Sequence, residues 1–199
     1  MEASFFTRHP FLKDVLGIIF FIICVIIGTL FINAFVFRSY NVFGPSMEPT
    51  LHTNDRLIVN RTVVTWAKIQ NKQYVPDRGN VIVFHNPLLG SGLDDEYIVK
   101  RVIAFPGERV VLKEGKYTVY NTDHPNGFNP DDAFHGEPKS FTSGTVDTIV
   151  PKDEIFVSGD NREGSFSLDS RNGLGTIPLY DVVGPVGVRI YPFNLIRTF

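Results

Sequence analysis

A β-strand is predicted for Glu96-Tyr97-Ile98-Val99-Lys100-Arg101-Val102-Ile103-Ala104-Phe105, which is rich in β-branched and aromatic residues. Side chains alternate along a strand, so Lys100 shares its face with the apolar Ile98 and Val102. Burial among apolar groups disfavours an ammonium and lowers the pKa of a lysine, which is what a base needs near neutral pH. The alternative is an edge lysine whose stem covers apolar side chains while its amine reaches water.

Similar short runs recur after residue 55, separated by clusters of Gly, Pro, Asn and Asp. They are Arg56 to Val63, Asn80 to His85, Arg109 to Leu112, Tyr117 to Tyr120, Glu154 to Ser158 and Val182 to Ile190. This pattern predicts a mainly β fold built from antiparallel sheet. The polar stretch Asn121 to Gly144 is predicted to be an insertion or flexible lobe on that core, with little chemistry of its own.

An apolar run without any charge extends from Val15 to Phe37. As a helix it would be about 34 Å long, enough to cross a hydrocarbon core of about 30 Å. A cleavable signal peptide is the alternative, but its apolar core would be shorter and would end at a small-residue site. Asn33-Ala34-Phe35-Val36 offers no such site, so a retained transmembrane anchor is predicted at 15–37.

The orientation of this anchor follows from the basic residues beside it. Arg8 and Lys13 precede the run and Arg38 follows it. The positive-inside rule therefore favours a cytoplasmic N-terminus over residues 1–14 and an extracytoplasmic domain over 38–199.

Charge and cysteine content argue against nucleic-acid binding, internal disulfides and thiolate zinc sites. The chain has 199 residues, 19 basic and 21 acidic side chains and a formal net charge of -2, which is not the electrostatic signature of a nucleic-acid-binding protein. The single cysteine, Cys24, lies in the apolar run. The rest of the chain can therefore form neither an internal disulfide nor a zinc site built on thiolates.

A candidate nucleophile, Ser46, lies in Gly44-Pro45-Ser46-Met47-Glu48-Pro49-Thr50-Leu51. It follows the apolar run by nine residues, which reach at most roughly 30 Å, so its target must lie close to the bilayer. A serine hydroxyl needs a base. Three of the five histidines precede the anchor or fall in the polar lobe, which leaves His52 and His85 as weaker alternatives to Lys100.

A third cluster follows the strand that ends at Ser158. It comprises Ser158-Gly159-Asp160-Asn161-Arg162 and Ser167-Leu168-Asp169-Ser170-Arg171. Alone, these hydroxyls, turn formers and opposite charges are equally consistent with a solvated loop that bonds to its own backbone.

Taken together and in order, these segments resemble the motifs of the type I signal peptidases, the membrane-bound serine proteases that remove signal peptides from exported proteins. The Ser46 segment resembles the nucleophile motif, Arg78-Gly79-Asn80-Val81-Ile82-Val83-Phe84 a strand motif, Tyr97 to Glu108 the lysine motif, and the third cluster the last motif. The single anchor and short catalytic region resemble the Gram-positive bacterial branch.

The resemblance implies Ser46 as nucleophile and Lys100 as general base. It further implies that the Ser167 hydroxyl orients the Lys100 amine. By similarity, Asp169 pairs with Arg171 and Arg101 to brace the strand behind the dyad.

Two departures from the family pattern bear on the supporting residues. Glu163 to Phe166 makes the last motif two residues longer than usual, and Ser165 becomes a rival to Ser167. Gly44 stands where some members carry a hydroxyl that helps to bind the oxyanion. Backbone donors, including the Ser46 amide, would then matter more.

The resemblance also implies how a substrate binds and which partners act. An extended signal peptide with small residues at the cleavage site would lie along the lysine strand and the segment before Ser46, against residues such as Gly44, Pro45, Met47 and Val99. No metal or other cofactor is expected, and the partners are preprotein signal peptides and the lipid bilayer. Two alternatives stay open: another Ser-Lys hydrolase, such as the self-cleaving repressors, and a non-catalytic membrane-anchored export scaffold.

Overall fold

The structure, a computed structural model, describes residues 10–88, 96–133 and 141–199. Its first element is a 26-residue helix, α1 (Pro10–Phe35). Over Phe11–Phe35 none of its most apolar window is buried and the mean hydropathy reaches 3.2, so it is long and apolar enough to cross a membrane. It begins before the charged Lys13 and ends two residues before the predicted boundary, because Phe37 already opens the first strand.

Eleven strands and one further α-helix lie in the described residues after α1. They are β1 (Phe37–Asn41), β2 (Arg56–Asn60), α2 (Thr62–Ile69), β3 (Val81–His85), β4 (Tyr97–Ala104), β5 (Arg109–Lys113), β6 (Lys116–Tyr120), β7 (Val146–Ile149), β8 (Glu154–Ser158), β9 (Ile177–Pro178), β10 (Val182–Tyr191) and β11 (Arg197–Thr198).

All strand pairings are antiparallel, which confirms the predicted mainly β fold. The larger sheet has the order β1-β2-β10-β3-β4-β8-β9, with β11 on β10, and the smaller has the order β6-β5-β7. β4 therefore lies inside the larger sheet, and β1 forms one of its edges.

Each predicted strand is present, but Arg56 to Val63 is only partly extended. β2 ends at Asn60, whose side-chain oxygen accepts hydrogen bonds from the backbone N–H and the hydroxyl of Thr62. These contacts turn the chain into α2 despite its β-branched residues, whose preference for strands is weak and depends on context. Four strands were not predicted: β1 and β7 carry no continuous apolar run, and β9 and β11 are only two residues long.

Three apolar clusters form the core. The first lies under β2, β3 and β10 and includes Met47 and Leu51, while the second lies between β3, β4 and β8. The third joins β4 to the smaller sheet through residues such as Ile103 and Tyr117. The loop that carries Ser46 is thus fixed by its own buried side chains.

The polar stretch after β6 contacts the core more closely than predicted. It includes a short 3₁₀ helix, Pro130–Ala133, whose Asp131 carboxylate accepts two hydrogen bonds of 2.7 Å from the guanidinium of Arg162. The Arg162 side chain is only 1% exposed. This part of the lobe therefore neutralises a buried charge, while residues 134–140 lie outside the described structure.

Candidate active site

Lys100 and Ser46 meet at the centre of the site. Lys100 lies in the middle of β4 and is 3% exposed, whereas Ser46 is half-buried. Their Nζ and Oγ atoms are 2.8 Å apart, and the Lys100 amine also donates to the carbonyl of Val99 at 2.8 Å. This distance is suitable for direct proton transfer between the two side chains.

Burial makes the neutral form of Lys100 more accessible than that of a lysine in water. Burial lowers the pKa of its amine from the ordinary 10.5 to about 8, although the carboxylates of Asp169 and Asp160 act in the opposite direction. The predicted cause, desolvation beside apolar neighbours, is therefore the dominant one. Lys100 is far easier to deprotonate than a lysine in water.

The loop of Ser46 is held by Asn161, whose part in the site was not predicted. The Asn161 backbone N–H donates to the Ser46 carbonyl at 3.1 Å, and its side-chain amide donates to the Pro45 carbonyl at 3.1 Å. Asn161 belongs to a segment whose sequence is equally consistent with a solvated loop. Nothing in the sequence pattern therefore indicates this contact.

The residue before Asn161 explains how that segment is positioned. Asp160 receives two hydrogen bonds from the guanidinium of Arg101, one of them 2.7 Å from Nε to Oδ1. Arg101 also donates to the Gly79 carbonyl at 2.7 Å. Arg101 lies opposite Ser158 in the β4–β8 ladder, which brings its guanidinium to Asp160. The pairing of Arg101 with Asp169 stays a prediction.

The other predicted ion pair, Asp169 with Arg171, is present. The Arg171 Nε lies 3.2 Å from both carboxylate oxygens, and both side chains are fully buried. Asp169 also accepts the Gly159 backbone N–H at 2.9 Å, and Arg171 donates to the Asn161 carbonyl at 3.1 Å. This pair braces the segment from Gly159 to Asn161, and hence the nucleophile loop.

Ser167 and its rival Ser165 occupy different environments. Ser165 is exposed, whereas Ser167 is fully buried. The Ser167 Oγ has no hydrogen-bond partner in the part of the chain that the structure describes, so the predicted bond to Lys100 is not seen. A Cβ built on Gly159 would collide with both this hydroxyl and the Ser46 carbonyl. Ser167 therefore lies beside the nucleophile loop with its hydroxyl unused.

The predicted substrate-binding residues divide into two groups. Gly44, with a φ of 82°, has open space where a Cβ would lie, and Pro45 is exposed. Val99 is half-buried on β4. Met47 is fully buried in the first core cluster, so its side chain anchors the loop and is not available to a substrate.

Among the residues that the structure describes, no strand pairs with one edge of β4 beside the dyad. β8 pairs with β4 only from Arg101 onward, whereas β3 covers the other edge from Tyr97 to Arg101. On the β3 side, the Asn86 backbone N–H donates to the Glu96 carbonyl, and the Val102 N–H donates to the Asn80 carbonyl. Backbone groups of every second residue in an antiparallel strand point to the same neighbour, so those of Ile98 and Lys100 also face β3. The backbone groups of Tyr97 and Val99 consequently face the open edge.

The histidine alternatives lie elsewhere. His52 is exposed, and His85 contacts Glu96 and the ring of Tyr97 at the end of β3. Within the described ranges, no group of three or more His, Cys, Asp or Glu side chains could hold a metal ion.

Comparison with known proteins gives matches over nearly the whole chain. A family model described as signal peptidase, peptidase S26, matches residues 12–191. Signal peptidase I S of Bacillus subtilis strain 168 is 32% identical over 179 residues, covering 88% of this chain and 89% of the relative. Signal peptidase I of Bacillus amyloliquefaciens is 34% identical over 186 residues, with coverages of 88% and 87%. Signal peptidase IB of Staphylococcus aureus strain COL is 33% identical over 199 residues, covering 92% of each chain.

Proposed function

This chain belongs to the signal peptidase family, peptidase S26, and on that premise we propose that it cleaves preproteins at the membrane surface with Ser46 as nucleophile and Lys100 as general base. The observation that carries the proposal is the 2.8 Å distance between the Lys100 amine and the Ser46 hydroxyl. A scaffold would have no need of a buried amine with a lowered pKa at this position.

The reaction follows from this geometry. Neutral Lys100 takes the proton of Ser46 as Oγ attacks the scissile carbonyl, and the leaving amine then receives that proton. Lys100 then accepts a proton from a water molecule, whose oxygen attacks the acyl ester. The bond to Ser46 Oγ breaks, Lys100 returns the proton to that oxygen, and the acyl group leaves as a carboxylic acid. The Ser46 backbone N–H, beside the open space at Gly44, is the candidate donor to the oxyanion.

Substrate binding is proposed at the open edge of β4. An extended peptide would pair with the backbone groups of Tyr97 and Val99 as an added strand and would place a peptide bond at Ser46. Its other side would face the segment that contains Gly44 and Pro45. Such pairing binds the peptide backbone and does not distinguish side chains. The preference for small side chains at the cleavage site must therefore come from the pockets beside the dyad.

The membrane anchor is proposed to be α1, with residues 1–14 in the cytoplasm and the catalytic domain outside. Its apolar residues between Phe11 and Phe35 are not buried against the rest of the described chain. A lipid bilayer would cover this surface and keep the site near the segment of the preprotein that emerges from it.

The test is cleavage of a preprotein by the purified full chain in lipid vesicles. Ser46→Ala should abolish cleavage after a small residue, and Lys100→Ala should lower it by at least roughly 100-fold. Ser165→Ala and Lys116→Ala alter an exposed serine and an exposed lysine and should cleave like the wild type. Full activity of either dyad variant would refute the assignment.

A further inference from the structure

The end of the membrane helix is bound by side chains of the catalytic domain. The Asn33 carbonyl accepts a hydrogen bond from Arg61 Nη1 at 3.2 Å, and the Phe35 carbonyl accepts one from Thr65 Oγ1 at 2.9 Å. The Val36 carbonyl accepts the Arg61 backbone N–H at 2.8 Å. The last carbonyls of a helix lack partners within it, and a cation there also interacts favourably with the helix dipole. Arg61 and Thr65 thus form a cap on α1, here called the helix cap.

The helix cap lies at one end of a paired two-stranded arm. β1 leads from α1 toward Ser46 and pairs with β2 over five residues, from Phe37 opposite Asn60 to Asn41 opposite Arg56. The ladder continues through two backbone hydrogen bonds of 2.9 Å, from Val42 to Asp55 and from Asn54 to Val42. Its paired strands are about 15 Å long.

Ser46 lies at the opposite end of this arm. It belongs to the loop that joins β1 to β2, whereas Arg61 and Thr65 follow β2 directly. β2 also pairs with β10, which attaches the arm to the rest of the sheet. The nucleophile and the end of the membrane helix are therefore connected by paired strands and not by a free linker.

We propose that the helix cap makes this arm a spacer of fixed length and direction, which determines the peptide bond of a preprotein that reaches Ser46. The inference rests on the proposed function, with α1 in the membrane. A preprotein's apolar segment would lie in the same bilayer as α1. Its scissile bond must therefore lie at the same distance from the membrane surface as Ser46. Without the cap, α1 can change its angle to the arm at Val36. Peptide bonds at other distances from the membrane surface can then reach Ser46.

The outer surface of α2 supports this orientation. Trp66 and Ile69 are 62% and 66% exposed, although they lie on the helix that caps α1. Tryptophan is enriched at the boundary between membrane and water. With α1 spanning the bilayer, these two side chains lie at that boundary and resist tilting of the arm.

The experiment uses a preprotein with two small-x-small sites, one at its natural distance from the apolar segment and one four residues further out. The full chain is reconstituted in phosphatidylethanolamine and phosphatidylglycerol vesicles, and the two products are quantified by mass spectrometry. The wild type should favour one site. Arg61→Ala and Thr65→Val each remove one hydrogen bond from the cap and should change the product ratio by about 2- to 10-fold.

Matched variants test whether the cap itself matters. Arg109→Ala and Asp147→Ala each break an exposed ion pair in the smaller sheet and alter neither α1, α2 nor the β1–β2 arm. Both should keep the wild-type ratio. Arg61→Lys retains a cationic donor and should restore part of it.

Cleavage of a short soluble peptide separates folding from site choice. Arg61→Ala should have the wild-type kcat/KM on that peptide. If Arg61→Ala loses this activity because it misfolds, the product ratio of Thr65→Val tests the inference instead. Unchanged product ratios in peptide-active cap variants would overturn the inference while leaving the proposed function intact. Failure of the wild type to cleave either site would overturn both.

Discussion

The guanidinium of Arg101 binds both carboxylate oxygens of Asp160, and both residues are buried. Each is adjacent to a residue of the site, because Arg101 follows Lys100 on β4 and Asp160 precedes Asn161. Asn161 in turn holds the Ser46 loop by two hydrogen bonds. One ion pair thus ties the strand of the proposed base to the loop of the proposed nucleophile.

Asp160→Asn should therefore impair both stability and catalysis. It removes the carboxylate charge that binds the buried Arg101 guanidinium, which is expected to lower the free energy of unfolding by about 3 kcal/mol. Because the Ser46 loop loses its support, kcat on a peptide should fall more than KM rises. Asp147→Asn breaks an exposed bidentate pair with Arg109 and should change the free energy of unfolding far less, because solvent screens such a pair. Equal effects of both variants in denaturant unfolding would contradict this role.

The rate should rise with pH through the titration of Lys100. With a pKa lowered to about 8 by burial, roughly a tenth of the amine is neutral at pH 7 and about nine-tenths at pH 9. Only the neutral form can accept the Ser46 proton, so kcat/KM should increase over this range and then level off. A profile on a short peptide, flat from pH 6 to 10, would argue against Lys100 as the base.

Lys100→Met should inactivate the enzyme but stabilise its fold. The folded pKa of about 8 lies below the ordinary 10.5, so the unfolded chain binds this proton more tightly. The wild type should gain stability as the pH rises from about 8 to 10.5, and the cost below pH 8 is on the order of 3 kcal/mol. A methionine of similar length avoids that cost. Thermal unfolding at pH 7 should therefore show a higher Tm for the variant, with the difference shrinking toward pH 10.

Ser167→Ala tests the predicted orientation of the Lys100 amine. If the buried Ser167 hydroxyl binds that amine during the reaction, its loss should lower kcat by about 10- to 100-fold and shift the pH profile. Ser165→Ala removes an exposed hydroxyl from the same loop and is the matched control. A Ser167→Ala enzyme with wild-type kcat and an unshifted profile would assign the lysine-orienting role elsewhere.

Much of the architecture was predictable because its signals are local. The β-branched residues around Lys100 predict strand β4, and the apolar run before Ser46 predicts helix α1. The four motifs, in their order along the chain, indicated the family that the comparisons confirm. The lowered pKa of Lys100 was also predictable, since strand alternation places it between apolar neighbours.

The remainder depends on contacts between distant segments. The contact of Arg101 with Asp160 was not predicted, because it depends on the pairing of β4 with β8. Likewise, Asn161 became a support of the Ser46 loop only because that loop folds back against it. The turn at Asn60, which ends β2, overrides the strand preference of the residues that follow.

The contact between Asp131 and Arg162 has a consequence for how this protein can change. Arg162 is completely buried, and its carboxylate partner comes from the polar lobe. Deleting the lobe, or exchanging it for that of a relative, would leave an unpaired guanidinium inside the protein unless a new carboxylate took its place. The lobe and the last motif are therefore expected to be inherited as one unit, and chimeras that divide them should need a second, compensating substitution at position 162.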